Sequence, residues 1–412
     1  MLSVNFFKNN REKLSKELVD NSVLILFSGN APKKSADEQY AFAVNRHFYY
    51  ETGIDEANDI FAITKFNGKV ESYLFIAEID EAKARWVGRT LSINEAFNLS
   101  GIENIRYLND FESFLNDSLV KTNTVYLDLE KQPFEDLFTK SELFAAELKD
   151  HNDEVEIIDC YQIITQHRMV KCEEEIALIR KAIEITKVGI ESLMKHAQSG
   201  IYEYQLEAYF DFEIKRNGAT GYAFKTIAGS GVNGAILHYG ANNSLIEDNS
   251  LILFDLGAQY NLYNADITRT FPVNGKFSPR QKEIYEIVLR GQDLVMSNVR
   301  AGRTLKELND ILVAFYEEEL MKINLISNKE ELRNYYFHNV SHHLGLDTHD
   351  ACIRSLPLKE GAVITVEPGL YIEEEKIGIR IENDVVVTKD GCIDLACDII
   401  KTVEDIEDFM KK

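Results

Sequence analysis

Four acidic residues sit in stretches that otherwise read as buried β-strand: Asp255 in Leu-Ile-Leu-Phe-Asp-Leu-Gly, Asp266 in Asn-Ala-Asp-Ile-Thr-Arg-Thr-Phe, Glu367 in Ile-Thr-Val-Glu-Pro-Gly and Glu382 in Ile-Arg-Ile-Glu-Asn. A carboxylate inside such a run needs a partner, because burying an unpaired charge is very costly. Strand geometry sharpens the requirement. A hairpin turning between Tyr260 and Asn261 sets Asp255 opposite Asp266, and one turning between Glu374 and Glu375 sets Glu367 opposite Glu382. Directly opposed like charges destabilise a hairpin unless a cation lies between them, so two such pairs point to more than one cation.

Five of the nine histidines fall between His238 and His349, and His338, His342, His343 and His349 share one twelve-residue stretch. Any one of them alone would more often be a packing or surface residue. Beside the acids they complete an oxygen-rich donor set with borderline nitrogen, which suits Mn²⁺, Fe²⁺, Co²⁺ or zinc rather than a thiolate site. Two such ions about 3.5–4 Å apart can hold a bridging hydroxide and polarise a carbonyl, the two-metal logic of hydrolysis at a peptide N-terminus. Arg380, two residues before Glu382 and so on the same strand face, is placed to orient those carboxylates.

The remaining chain limits the alternatives. Its 412 residues allow two to three domains, and 45% apolar with 27% charged residues is ordinary for a folded protein. A net charge of −23 argues against nucleic acid and anionic membrane surfaces as partners. No apolar run approaches a membrane span, and Lys8, Arg11, Glu12 and Lys13 interrupt any signal-peptide core. The five scattered cysteines contain no CxxC pair, as expected of reduced thiols in a cytoplasmic protein.

The first third mixes strand-like runs, Val23–Phe27 and Tyr73–Ile76, with a helical stretch at Ile79–Val87, which predicts an α/β domain. The boundary falls between Asp159 and Lys171, giving domains 1–165 and 166–412. Beyond it, helices are predicted over Lys171–Gln198, near Tyr202–Asn217, from Ser278-Pro279, and from Thr304 with Glu307 completing a capping box. Strand-like blocks follow at Ser250–Leu256, Ala265–Val273, Val363–Val366, Gly369–Ile372 and Ile377–Thr388, so the second domain is α+β. Gly229-Ser-Gly231-Val-Asn-Gly234 outlines a dinucleotide-binding turn, but too few residues follow for the crossover helix that must hold a pyrophosphate. Those glycines are better read as shaping a loop that presents His238 to the acids.

Several motifs together resemble the pita-bread metallopeptidase fold shared by methionine aminopeptidase, prolidase and aminopeptidase P (family M24). They are Lys171-Cys-Glu-Glu-Glu-Ile-Ala-Leu-Ile-Arg-Lys-Ala, Ile236-Leu-His-Tyr, Asp255-Leu-Gly, Ala265-Asp-Ile-Thr-Arg-Thr-Phe, Ser341-His-His-Leu-Gly-Leu-Asp-Thr-His349, Glu367-Pro-Gly-Leu-Tyr and Gly378-Ile-Arg-Ile-Glu382. In the first domain, Asn45-Arg-His-Phe-Tyr-Tyr-Glu-Thr-Gly53 and Arg85-Trp-Val-Gly88-Arg resemble the N-terminal domain of aminopeptidase P and related prolidases, of the creatinase/aminopeptidase P type. The resemblance implies Asp255, Asp266, His342, Glu367 and Glu382 as ligands of two divalent cations, most simply Mn²⁺, with Asp266 and Glu382 bridging. It selects His342 over His343, a choice the residues alone leave open. It further implies His238 and His349 as donors to the substrate carbonyl, Glu367 as proton relay, and His338 and Arg380 at the substrate pocket. The substrates implied are peptides with proline second, cleaved by an Xaa-Pro aminopeptidase, with an Xaa-Pro dipeptidase or a non-catalytic binding module on the same fold as alternatives. A homodimer or homotetramer is expected, with Trp86 a candidate contact of a neighbouring subunit. Asn383, where the family often has an acid, and His343, where it has a bulkier residue, are departures that remove no ligand.

Overall fold

The structure is a computed structural model that describes residues 2–130 and 138–411. The chain divides into two compact units, Met1–Arg168 and Met169–Lys412.

The N-terminal unit is built on a six-stranded mixed sheet. Its strands run in the order Asn104–Tyr107, Lys69–Ile76, Ile60–Phe66, Ser22–Phe27, Thr124–Leu127 and Glu156–Asp159. The two pairings Ser22–Phe27 with Ile60–Phe66 and Ile60–Phe66 with Lys69–Ile76 are antiparallel, and the outer three are parallel. Alternate residues Val23, Ile25 and Phe27 pack with Ala62, Phe75, Phe114 and Val125 on one face. The helical stretch foreseen from Ile79 begins at Glu81 and ends at Val87. In Asn45–Gly53 the Asn45 side chain accepts from Phe48 N and opens the helix Arg46–Thr52. Gly53 closes that helix at φ 72°, and a Cβ there would lie 2.5 Å from the Phe7 ring, so both backbone and space require glycine.

The second unit is α+β, as the sequence predicts. The helix Glu173–His196 buries Ile176, Ile179, Ile183, Ile190 and Met194 along one stripe, with Glu173, Glu174 and Glu175 at its positive N-terminal end. Ser278 caps Pro279–Met296, and Thr304 with Glu307 forms the capping box of Leu305–Lys322. No helix among the described residues is long and apolar enough to cross a membrane.

The two hairpins differ in register. Val363–Val366 pairs with Asn383–Val387 and Gly369–Ile372 with Ile377–Arg380 in one common register, whose continuation sets Glu367 opposite Glu382. The ladder is interrupted at this pair: Pro368 has no N–H, Glu367 N donates to Val340 O at 2.9 Å and Glu382 N to Thr268 O at 3.1 Å. The other hairpin corrects the expected pairing, because Leu251–Leu256 meets Ile267–Pro272 with Asp255 opposite Thr268. Its turn is Asn261-Leu262, one residue further on, where both φ are positive (48° and 69°), the backbone that fits the twist of a two-residue hairpin. Asp255 and Asp266 therefore lie diagonally on one face. In this register the residue opposite Asp266 is Gly257, whose Cβ would fall 1.8 Å from Ala265 O.

Candidate active site

A cavity of about 600 Å³ in the second unit is lined by all nine candidate residues: His238, Asp255, Asp266, His338, His342, His349, Glu367, Arg380 and Glu382. Each arrives for a local reason. Asp255 points from a strand, Asp266 lies just before its neighbour, and Glu367 and Glu382 sit where the long ladder parts. The histidines come from irregular chain, with His342 and His343 on successive, opposite sides of an extended segment. His342 Nε2 lies 3.4 Å from Asp266 Oδ2 and 3.6 Å from Glu367 Oε1, whereas His343 is buried away and burial, then Lys171, lowers its pKa to about 3. His338 Nδ1 lies 3.7 Å from Glu367 Oε2.

Beneath the acids runs a hydrogen-bonded scaffold. Arg380 donates from Nη2 to Asp255 Oδ2 at 2.6 Å, from Nη1 to the Tyr371 hydroxyl at 2.9 Å and from Nε to Thr268 Oγ1 at 3.0 Å. All three nitrogens thus donate within the protein, so Arg380 supports Asp255 from the cavity wall. Thr268 in turn donates to Glu382 Oε2 at 2.6 Å, and the Tyr371 hydroxyl meets His338 Nε2 at 2.9 Å. Asp384 Oδ2 accepts from Asp266 N at 3.0 Å. Arg269, entirely buried, donates to the carbonyls of Thr268, Glu382, Ile399 and Ile400 and to Asn383 Oδ1, and Asn383 Nδ2 donates to Asp394. An amide at 383 serves both neighbours, accepting from one and donating to the other.

The sequence reading missed Thr268, Tyr371, Asp384 and Thr365, whose Oγ1 accepts from His342 N at 3.1 Å. A signal existed for three of them: each stands two residues from a singled-out acid, and strand period places such residues on the same face. Arg269 carried no comparable signal, since its acceptors are mostly main-chain carbonyls far along the chain.

The electrostatics show what is missing from this acid set. Burial, then the charge of Asp255, drives the Asp266 carboxyl well above its usual range; burial, then Asp266, does the same to Glu382, and burial raises Glu367. Burial opposes the Arg380 charge, but Tyr371, Asp255 and the two glutamates outweigh it and hold the guanidinium firmly protonated. Of the basic side chains lining the cavity, Arg380 bonds to these acids while Lys306 pairs with Asp310, and Arg380 does not balance them, so protons or added cations must. Asp255 Oδ1 is buried with no hydrogen bond among the described residues, and ligand atoms of Asp266, His342 and Glu382 lie within 4.8 Å of one another. This oxygen-rich set with one imidazole fits a hard or borderline divalent metal. Burial lowers His338 to about 4, aided by Arg380, and His349 to about 4, aided by His342 and His238, so both imidazoles are neutral at pH 7.

The chain matches metallopeptidase family M24 over residues 177–389 and the N-terminal domain of aminopeptidase P over residues 7–126. It is 33% identical to the Xaa-Pro aminopeptidase of Escherichia coli K12, covering 98% of this chain and 97% of that one, and 31% identical to human Xaa-Pro aminopeptidase 3, covering 96% and 82%. Among solved structures, a Bacillus anthracis protein provisionally described as aminopeptidase P superposes with a TM-score of 0.98 at 46% identity, covering 99% of this chain and 98% of that one. Aminopeptidase P of E. coli with the inhibitor Pro-Leu superposes with a TM-score of 0.90 at 33% identity over 99% and 98%. Matched from end to end by these relatives, with an acid- and histidine-lined cavity in its second unit, the chain belongs to the aminopeptidase P group of metallopeptidase family M24.

Proposed function

We propose that the protein is a metal-dependent Xaa-Pro aminopeptidase, which releases the first residue of a peptide whose second residue is proline. The observation that carries this reading is the convergence of Asp255, Asp266, His342, Glu367 and Glu382 on one cavity with too little positive charge to balance them. In this reading those five side chains hold two divalent cations, with Mn²⁺ the first to test. Bound cations of this kind supply Lewis acidity to a carbonyl oxygen and acidify water.

The protein's own groups do the rest. His238 and His349 donate N–H to the scissile carbonyl and to the oxygen that gains charge as the carbon becomes tetrahedral. Glu367 carries a proton to the departing proline nitrogen, which needs one because a tertiary amide leaves poorly as an anion. Arg380 and Tyr371 fix Asp255 and His338, so the cavity keeps its shape while charge develops. An Xaa-Pro bond lacks the N–H that general peptidases grasp, which explains a dedicated site.

We also infer a homodimer or homotetramer. The helix Glu81–Val87 buries none of its residues and leaves Trp86 88% exposed, an aromatic surface suited to a second copy. Five free cysteines fit a reducing, cytoplasmic location.

The test is hydrolysis of Xaa-Pro-Xaa and Xaa-Pro peptides by metal-stripped protein before and after Mn²⁺ addition. Release of the first residue from the tripeptide, restored by Mn²⁺, is expected. Cleavage of the dipeptide alone would make the protein an Xaa-Pro dipeptidase, and cleavage of neither by metal-loaded protein would leave a binding module.

A further inference from the structure

The loop that carries His238 into the cavity has no regular structure beyond the short 3-10 turn Gly231–Ala235, yet a single buried carboxylate fastens it at both ends. Glu203, at the start of the helix Glu203–Arg216, is 0% exposed. Its Oε1 accepts from Ser230 N at 2.8 Å, Ser230 Oγ at 2.8 Å and Asn233 Nδ2 at 3.0 Å. Its Oε2 accepts from the Tyr239 hydroxyl at 2.9 Å and Ser244 N at 3.0 Å. One oxygen therefore holds the chain before His238 and the other holds the chain after it, including the very next residue. On its far side the turn rests on the strand Ile377–Arg380, where a Cβ on Gly378 would fall 2.0 Å from Gly234 O.

We infer that Glu203 is a positioning residue for His238, locking the loop so that the imidazole meets the substrate carbonyl. The inference rests on the role given to His238 above. Five donors converging on two oxygens suit a carboxylate and not an amide. In Glu203→Gln, whichever way the amide turns, its NH₂ faces a backbone N–H, of Ser230 or of Ser244, that cannot reverse. One of the carboxylate's two holds on the loop is then lost while the side-chain volume is kept, leaving the other hold and the backbone bonds at the loop ends, such as Tyr204 N to Asn242 O at 2.8 Å and Glu203 N to Ser244 O at 3.0 Å.

A double-mutant cycle tests this with Xaa-Pro-Xaa peptides, alongside NMR of isotope-labelled histidine rings. Glu203→Gln is expected to lower kcat/KM about 10-fold, within the loss that misplacing a group by an ångström produces. The same substitution in a His238→Ala background is expected to cost almost nothing further, because the group it positions is already gone. Metal content should match the unmodified protein, and the His238 ring signals should shift or broaden while those of His151 and His196 stay put. If Glu203→Gln fails to fold, Tyr239→Phe, which deletes one of the five bonds, should show a smaller loss with the same dependence on His238. Equal losses in both backgrounds, or unmoved His238 signals, would overturn the inference. Absence of cleavage by the unmodified protein would sink the peptidase reading instead, and the ring signals would still decide whether Glu203 holds the loop.

Discussion

In the N-terminal unit two buried acids, Asp128 and Glu51, are set by burial and by basic or polar neighbours rather than by other acids, unlike Asp59, which burial and then Glu56 raise to about 7. Burial works against the Asp128 charge, but His47 at 3.2 Å and Asn45 at 3.1 Å outweigh it and leave its carboxyl lowered. Glu51 has no hydrogen bond on either carboxyl oxygen among the described residues, and burial pushes it up to about 8 against the pull of Arg11. In the second unit Asp255, Asp266, Glu367, Glu382 and Asp384 share one region, and neighbouring acid charges raise Asp266, Glu367, Glu382 and Asp384 on top of burial. An isolated buried acid titrates alone and registers as pH-dependent stability. Acids that repel across a common cavity can all ionise only when a cation enters, so they register as metal affinity.

This contrast can be broken most forcefully at Asp266. Asp266→Ala should cost about 1,000-fold in kcat/KM with Mn²⁺ present, since several kcal/mol of charge stabilisation are lost at about 1.4 kcal/mol per tenfold. It should also lower the metal bound per chain by mass spectrometry, while Glu51→Gln should leave bound metal unchanged. Comparable metal loss in both variants would erase the distinction between the two regions.

A paired acid in the second unit should behave structurally. Lys171 Nζ meets Asp350 Oδ2 at 2.7 Å, with both side chains 1% exposed. Lys171→Met takes the cation from the buried Asp350 carboxylate, whose Oδ1 still accepts from Asp347 N at 3.2 Å, and should cost about 3 kcal/mol, read as an earlier urea midpoint. An unchanged midpoint would move Asp350 into the open acid set.

For Glu51 the sign follows from its direction. Its folded pKa, about 8, lies above the unfolded value of 4.5, so its contribution is intact below pH 4.5 and is lost as pH rises toward 8. Between pH 5 and pH 8 stability should fall by roughly 3 kcal/mol on this account, and Glu51→Gln should flatten the slope. Urea midpoints recorded across that range decide it, and a variant with the slope of the parent would show that Glu51 does not titrate there.

The smallest effect concerns the scaffold. Tyr371→Phe removes the hydroxyl between Arg380 and His338 and should lower kcat/KM about 10-fold, in the range that support groups around metal sites command, with metal content intact. Metal loss in that variant would place Tyr371 with the acids themselves.

Much of the local structure was legible in the sequence because its causes are local. Ser278-Pro279 and the Thr304–Glu307 box start helices through bonds to amides a few residues away, and those helices begin where expected. The Glu367–Glu382 pairing was legible because its two ladders keep one register through a short turn. The Asp255–Asp266 pairing was misjudged by two residues because a two-residue turn can slide along a polar stretch, and the left-handed backbone of Asn261 and Leu262 decided where it settled. The short helix Val403–Phe409 went unread, although Thr402 with Asp405 three residues on and Val403, Ile406 and Met410 at helical spacing mark it.

The sequence by itself determined which side chains line the cavity, acids where strands should be apolar and histidines crowded into a dozen residues, and the family those motifs resemble. Only the tertiary structure decided how they are held. Arg380 on Asp255, Thr268 between Arg380 and Glu382, Glu203 on the His238 loop and Arg269 on the carbonyls of residues 399 and 400 all join positions far apart in the chain. Such bonds leave no periodic mark, because hydrogen-bond partners are chosen by distance in space and a pattern along the chain records only neighbours within a turn or a strand.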